Sequence, residues 1–216
     1  MTLTFDLFWS FRSPYSYLAT PRLAEMEREY DLAVAVRPVY PLAVRSGDFF
    51  EKQNPLWIAY LMRDTYRISQ MLGLAYRWPR PDPVVVDPMT RAGVADQPHI
   101  HRLTRLGCAA AEAGRGLPFL HEMSTLIWSG TVDGWHQGAH MAEATARAGL
   151  DLRELDAKIE ADPDKYEAII QANQKAHQEA GHWGVPTCAF EGEPFFGQDR
   201  LDALLWRMKQ RGLKAR

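Results

Sequence analysis

The sequence contains little cysteine. Cys108 and Cys188 are the two cysteines among 216 residues, and neither has a second cysteine near it. A disulfide-rich scaffold and a CxxC redox centre both need closely spaced pairs, so the sequence excludes these two classes. We interpret both side chains as small buried hydrophobic groups without a catalytic role.

Long apolar runs and a strong net charge are also missing. No run approaches the roughly 18 to 20 apolar residues that cross a bilayer, and the first residues alternate as a strand does. The formal net charge is −2, which gives no broad positive field to attract phosphates. We therefore expect a cytoplasmic protein with neither a membrane nor a nucleic acid as partner.

Hydrophobic patterning at the start of the chain predicts a βαβ unit. Residues 3–9 and 32–39 predict buried strands. Between them, residues 14–30 predict a helix with Ser13 as its N-cap and a proline at its first position. Pro21 lies inside this helical pattern and predicts a kink or a short break, because proline lacks the backbone N–H.

The middle of the chain is predicted to be helical, since its apolar residues recur with a period near 3.6. The predicted helices span residues 55–72, 97–113, 118–128, 135–148, 152–161 and 163–180. The connection at residues 76–88 holds four prolines and predicts a stiff extended segment.

The end of the chain returns to strands, with a strand at 187–191, a turn at 192–194, a short strand at 195–196 and a capped helix at 199–210. The order βαβ, helices, ββα predicts an α/β protein with a thioredoxin-like fold and a large all-helical insertion between its two halves. We expect the thioredoxin-like domain to comprise residues 1–45 and 181–216, and the insertion residues 46–180.

The junction of the first strand and the first helix reads SPYSY, residues 13–17. Thioredoxin-like redox proteins carry CxxC here, because the N–H groups and dipole of the helix stabilise a thiolate. Serine stands at both cysteine positions, so dithiol exchange is excluded. The Ser13 hydroxyl can still hold a thiolate that belongs to another molecule. Ordinary helix capping is the alternative role.

Three segments, in order along the chain, together resemble one family: SPYSYL at 13–18, GVPT at 184–187 and FGQDRL at 196–201. KQNP at residues 52–55 is a shorter match to the same family. The ordered set is similar to the kappa-class glutathione transferases and the 2-hydroxychromene-2-carboxylate isomerases, which share a DsbA-like thioredoxin fold.

This resemblance implies glutathione as the cofactor, with its sulfur near a catalytic Ser13. We expect no metal. A cis bond before Pro186 is implied, at which the backbone of Val185 pairs with the cysteinyl part of glutathione. The remaining implied glutathione contacts are Asn54, Gln198 and Asp199. The last two would hold the γ-glutamyl end.

The resemblance also implies an activity, which is isomerisation of a small unsaturated aromatic acid by reversible addition of the glutathione thiolate, in a homodimer. A kappa-type glutathione transferase or peroxidase is one alternative, and a non-catalytic thioredoxin-like binding module is another. The two enzymes differ in whether glutathione is consumed, and the binding module predicts that Ser13→Ala changes no activity.

Further candidate residues come from neighbouring positions. The expected pocket walls are Phe11, Arg12, Tyr15, Trp57 and Trp183, with Arg12 as the partner of a substrate carboxylate. His136 and His140 are spaced to share a helix face as metal ligands, but the sequence offers no third ligand, so we favour a packing role. We assign the acidic residues to exposed helix faces and give them no catalytic role.

Overall fold

The computed structural model of the chain describes residues 2–46, 49, 52–87, 89 and 93–216. The strands in these residues are β1 Leu3–Trp9, β2 Leu32–Pro38, β3 Thr187–Phe190 and β4 Glu193–Phe196, and they form one sheet in the order β2-β1-β3-β4. β1 pairs in parallel with β2 and antiparallel with β3, and β4 is antiparallel to β3. The predicted thioredoxin-like α/β fold is confirmed.

Helix α1, Pro14–Glu29, connects β1 to β2 and has Ser13 as its N-cap, as predicted. The helix continues through Pro21, so the predicted break is absent, while the predicted kink stays a prediction. Proline removes one backbone hydrogen bond, and we attribute the continuity to burial of Leu18 and Leu23 in the core, which outweighs that loss.

The segment between β2 and β3 is helical, as predicted. A short helix that the sequence did not indicate, α2, spans Leu42–Arg45. The longer helices are α3 Pro55–Met71, α4 Ile100–Glu112, α5 Gly116–Trp128, α6 His140–Arg147, α7 Leu152–Ala161 and α8 Pro163–Glu179. Helices α4, α5 and α8 pack against β2, and the insertion and the sheet share one hydrophobic core. The division of the chain at residues 45 and 180 stays a prediction.

Two predicted helices of the insertion start too early. Helix α6 begins at His140, because Gly134 and Gly138 adopt positive φ angles of 65° and 57° that interrupt helical geometry. Helix α4 also begins later than predicted. Gln97 lies in the preceding loop, where its side-chain amide exchanges hydrogen bonds of 2.9 and 2.8 Å with the backbone of Val85.

Over the described residues 76–87, the proline-rich connection between α3 and α4 contains no helix and bends at residues 80, 81, 83 and 84, so its predicted stiff extended form stays a prediction. Pro88, the predicted end of this connection, lies outside the described residues. The backbone N–H of Arg77 donates to the Trp128 carbonyl at 2.8 Å, and the indole of Trp135 donates to the Pro81 carbonyl at 2.8 Å. These bonds hold the connection against α5 and the turn before α6.

The turn between β3 and β4 consists of Glu191 and Gly192, whose φ angles are 50° and 82°. Two successive left-handed residues are the pattern of a two-residue hairpin turn. The predicted turn at 192–194 is therefore shifted, and Pro194 belongs to β4. This strand lies at the edge of the sheet, a position that tolerates proline.

After β4, a 3-10 turn at Gln198–Arg200 leads into helix α9, Leu201–Gln210. Asp199 therefore lies in the turn and does not start the α-helix as predicted. Every helix in the described part of the chain is too short or too polar to span a bilayer.

Candidate functional site

Ser13 occupies the junction of β1 and α1, where its hydroxyl has two partners. Its oxygen accepts a hydrogen bond from the backbone N–H of Ser16 at 3.2 Å, which caps the helix. The same hydroxyl donates to the backbone carbonyl of Val185 at 3.1 Å. Neither partner is a base, so nothing in these contacts activates Ser13 as a nucleophile.

Val185 lies in the loop between α8 and β3, and the bond from Val185 to Pro186 is cis, as predicted. The Thr187 hydroxyl donates to the Gly184 carbonyl at 2.6 Å, and the Pro186 carbonyl accepts from the N–H of Gly197 at 2.9 Å. These bonds fix the loop to the end of β4. The fold thus brings together three segments that are far apart in sequence.

A cleft of about 880 Å³ opens beside Ser13, between the start of α1, helix α3, the connection at 76–87 and the loop before β3. The predicted glutathione residues that line it are Ser13, Val185, Gln198 and Asp199. Pro186 is next to a lining residue, whereas Asn54 is not among the lining residues that the structure describes. The structure therefore brings four of the six predicted residues to one cleft.

Gln198, Asp199 and Asn54 differ in their hydrogen-bond partners and in their exposure to solvent. Gln198 is 5% exposed, and its backbone carbonyl accepts from the guanidinium of Arg22 at 3.5 Å. Asp199 is exposed, and its carboxylate pairs with the guanidinium of Arg200 at 2.8 Å. Asn54 is the N-cap of α3, because its side-chain oxygen accepts from the N–H of Leu56 at 3.0 Å.

Of the five predicted wall residues, four line the cleft: Arg12, Tyr15, Trp57 and Trp183. The prediction for Phe11 is wrong. Its side chain is fully buried, with its ring edge against Trp9, and its carbonyl accepts from the Trp128 indole at 2.9 Å. Phe11 belongs to the core because it continues the inward side of β1.

Arg12 already has a carboxylate partner within the chain. Its guanidinium forms a bidentate pair with Asp82, at 3.0 and 3.1 Å. Asp82 also accepts from the Trp78 indole at 3.1 Å and from the Val84 N–H at 2.9 Å. This cluster fixes the residue before Ser13 against the proline-rich connection.

Tyr15 and Asp64 form a second polar contact in the cleft. The Tyr15 hydroxyl donates to the Asp64 carboxylate at 2.7 Å, and that carboxylate also accepts from Arg67 at 2.8 Å. Burial first, and the hydrogen bond to Asp64 second, raise the pKa of Tyr15 above its ordinary value. Tyr15 therefore remains a protonated hydrogen-bond donor at physiological pH.

The sequence prediction missed both aspartates, because it placed acidic residues on exposed helix faces. For Asp64 a signal was present: Trp57, Leu61, Asp64 and Ile68 recur at helical spacing on α3, and all four line the cleft. Asp82 follows no such period, because it lies in the irregular connection, and only the fold places it beside Arg12.

Both cysteines are buried, as predicted. Burial raises the pKa of Cys108 to about 12, and burial also raises the pKa of Cys188. Neither thiol lines the cleft, so neither substitutes for the missing redox pair.

The histidines form no metal site among the described residues. His136 lies in the turn before α6 and not on a face shared with His140, and its ring is 4.6 Å from that of His99. His182 stacks on Phe196 at 4.0 Å and on Trp183 at 5.5 Å, and both of these residues line the cleft. These contacts agree with packing roles.

The fold and the site define a thioredoxin-like protein in which the helix that usually carries the redox pair begins with serine. The chain matches the DSBA-like thioredoxin domain over residues 4–209, and it belongs to that family. No curated protein matches the sequence.

Solved structures share this fold. A 2-hydroxychromene-2-carboxylate isomerase has a TM-score of 0.68 at 19% identity, covering 96% of this chain and 95% of that chain. The cytosolic disulfide reductase DsbM from Pseudomonas aeruginosa has a TM-score of 0.59 at 19% identity, covering 97% of this chain and 100% of that chain. DsbM with GSH has the same TM-score at 18% identity, covering 96% and 100%.

Proposed function

We propose that the chain is a glutathione-dependent isomerase, in which glutathione binds at the Ser13 end of the cleft and an unsaturated aromatic substrate binds at the α3 end. The observation that carries the proposal is the position of the Ser13 hydroxyl, at the N-terminus of α1 and against the Val185 carbonyl inside the cleft. The fold shared with an isomerase, and with DsbM in its complex with GSH, supports it.

The residues at the Ser13 end fit the chemistry of glutathione. The Val185 carbonyl suits a peptide N–H, and the Asp199 carboxylate suits an ammonium group. The Ser13 hydroxyl and the partial positive charge of the α1 N-terminus suit a thiolate. Glutathione, when bound, would supply a thiolate that can add reversibly to an activated double bond.

The Ser13 hydroxyl has a defined part in this proposal. Its hydrogen is directed at the Val185 carbonyl. A ligand N–H that takes over this carbonyl would release the hydroxyl to donate to the sulfur. Ser13 then stabilises a charge and attacks nothing, which agrees with the lack of a base among its contacts.

Ser13→Ala and Ser16→Ala together test the proposal. Ser13 lines the cleft, whereas the Ser16 hydroxyl is buried and has no hydrogen-bond partner in the described part of the chain. Calorimetry should show glutathione binding to the native chain and to Ser16→Ala, with a glutathione-dependent activity that only Ser13→Ala loses. Absence of any heat of binding to the native chain would overturn the proposal.

A kappa-type transferase uses the same cleft and differs in its products. Chromatography of the reaction mixture separates the two activities, because an isomerase returns all of the glutathione and a transferase consumes it. A non-catalytic binding module predicts that Ser13→Ala leaves every activity unchanged.

A further inference from the structure

The α3 end of the cleft has an apolar wall. This end lies between helix α3 and the connection at 76–87, and its apolar lining residues include Trp57, Ile58, Leu61, Met62, Ile68 and Trp78. Such a wall suits an aromatic molecule, because indole and aliphatic surfaces bury an aromatic ring favourably.

Two carboxylates line this end, those of Asp64 and Asp82, and Arg12 is the cationic residue among the described residues that line the cleft. Arg67, the ion-pair partner of Asp64, is not a lining residue, and its side chain is 54% exposed. Water screens the Arg67 charge more than it screens a carboxylate facing an apolar cleft.

Arg12 is held by Asp82. To receive an incoming carboxylate, the guanidinium would have to leave a bidentate pair in which its own side chain is 13% exposed. The exchange would also leave Asp82 beside the newly bound anion. Both effects disfavour an anionic ligand at this end.

We infer that the substrate bound at the α3 end is an uncharged aromatic molecule and that this end discriminates against aromatic carboxylates. The inference rests on the proposed function, and it replaces the aromatic acid that the family resemblance implies. The Tyr15 hydroxyl donates its hydrogen to Asp64 in the free chain, and a neutral carbonyl oxygen in the same space could take over this hydrogen while Asp64 keeps its bond to Arg67.

Binding of a matched pair of compounds tests this inference without any turnover. Cinnamamide and cinnamate have nearly the same shape and differ by one charge. Calorimetry with the full chain at neutral pH and low salt should show at least about tenfold tighter binding of the amide, since one unfavourable charge contact of roughly 1.4 kcal/mol is a tenfold change. High salt should narrow the difference.

Two variants locate the origin of the discrimination. Asp64→Asn should raise the affinity for cinnamate several-fold and leave the affinity for cinnamamide unchanged. Asp82→Asn should act in the same direction, because it releases Arg12 from its ion pair. Asp156→Asn is the matched control, since Asp156 pairs with Arg102 at 2.6 Å away from the cleft and should alter neither affinity.

The outcomes separate this inference from the proposed function. Equal or tighter binding of cinnamate, or no binding of either compound, would overturn the inference. In that case, calorimetry that shows glutathione binding would still support the proposed function. A preference for cinnamamide that both cleft variants reduce would support the inference. If the chain prefers cinnamamide to cinnamate but does not bind glutathione, the proposed function fails and the inferred charge preference of the cleft stands.

Discussion

The Ser13 hydroxyl donates a hydrogen bond to the Val185 carbonyl at 3.1 Å, although 172 positions separate the two residues in sequence. This contact joins the first helix to the loop before β3, and both residues line the same cleft. A ligand N–H that bonds to the Val185 carbonyl would free the Ser13 hydroxyl, which could then donate its hydrogen to the ligand.

The two serines of the SPYS segment should differ in their effect on stability. Ser13→Ala removes the cap of α1 and should lower the free energy of unfolding by about 1 kcal/mol. Ser16→Ala removes a buried hydroxyl without a partner in the described residues, and should leave stability unchanged or raise it. Urea unfolding of both variants measures the difference, and equal losses would contradict the assignment of Ser13 as the cap.

Tyr15→Phe should reduce turnover while glutathione binding remains. In the free chain the Tyr15 hydroxyl donates to Asp64, and a substrate carbonyl would take over this hydrogen. The variant removes the hydroxyl, and we expect kcat for a neutral unsaturated aromatic ketone to fall by at least about tenfold. Tyr17→Phe is the matched control, because the Tyr17 hydroxyl donates to the Ala75 carbonyl at 2.6 Å outside the cleft lining. Equal kcat values for the two variants would exclude a role for the Tyr15 hydroxyl.

His177 should make the fold sensitive to acid. Its side chain is fully buried and stacks on Phe8 at 4.6 Å. Burial first, and the nearby charge of Arg45 second, lower the pKa of His177 to about 4, from the 6.5 expected in the unfolded chain. Below pH 6.5 the unfolded chain therefore takes up a proton that the folded chain refuses.

The stability contributed by neutral His177 is complete above pH 6.5 and is lost as the pH falls towards 4, by about 3 kcal/mol in all. His177→Phe should remove this dependence and preserve the ring stacking. His140→Gln, at a half-buried position on α6, should retain it. Denaturant unfolding at neutral pH and near pH 4.5 provides the measurement, and an unchanged slope with pH in His177→Phe would refute the assignment.

Both cysteines should be inert in the folded chain. Their burial and raised pKa values predict that an aromatic disulfide reagent modifies neither thiol at neutral pH, and that it modifies both after unfolding. Rapid modification of either cysteine before unfolding would show a thiol accessible to the solvent.

Much of the fold was predictable because strand and helix periods differ, and because capping residues mark the start of α1. Four of the six predicted site residues also reach the cleft, since the motifs lie at the ends of strands and helices. The interaction of Arg12 with Asp82 was not predictable, because no local pattern specifies which loop covers the start of α1. The start of α6 was missed because Trp135 fits the hydrophobic pattern of a helix, and it is indeed buried like a helical core residue. It lies between Gly134 and Gly138, whose positive φ angles interrupt the helix and are not visible in that pattern.

The most direct test of the account is a pH titration of the ultraviolet absorbance of the bound glutathione thiolate. We predict a thiol pKa near neutral in the native complex and a roughly tenfold to hundredfold loss of thiolate at neutral pH in Ser13→Ala, the size expected for one hydrogen bond to a charged group. A bound thiol that titrates as free glutathione does, or equally in the native chain and in Ser13→Ala, would contradict the account.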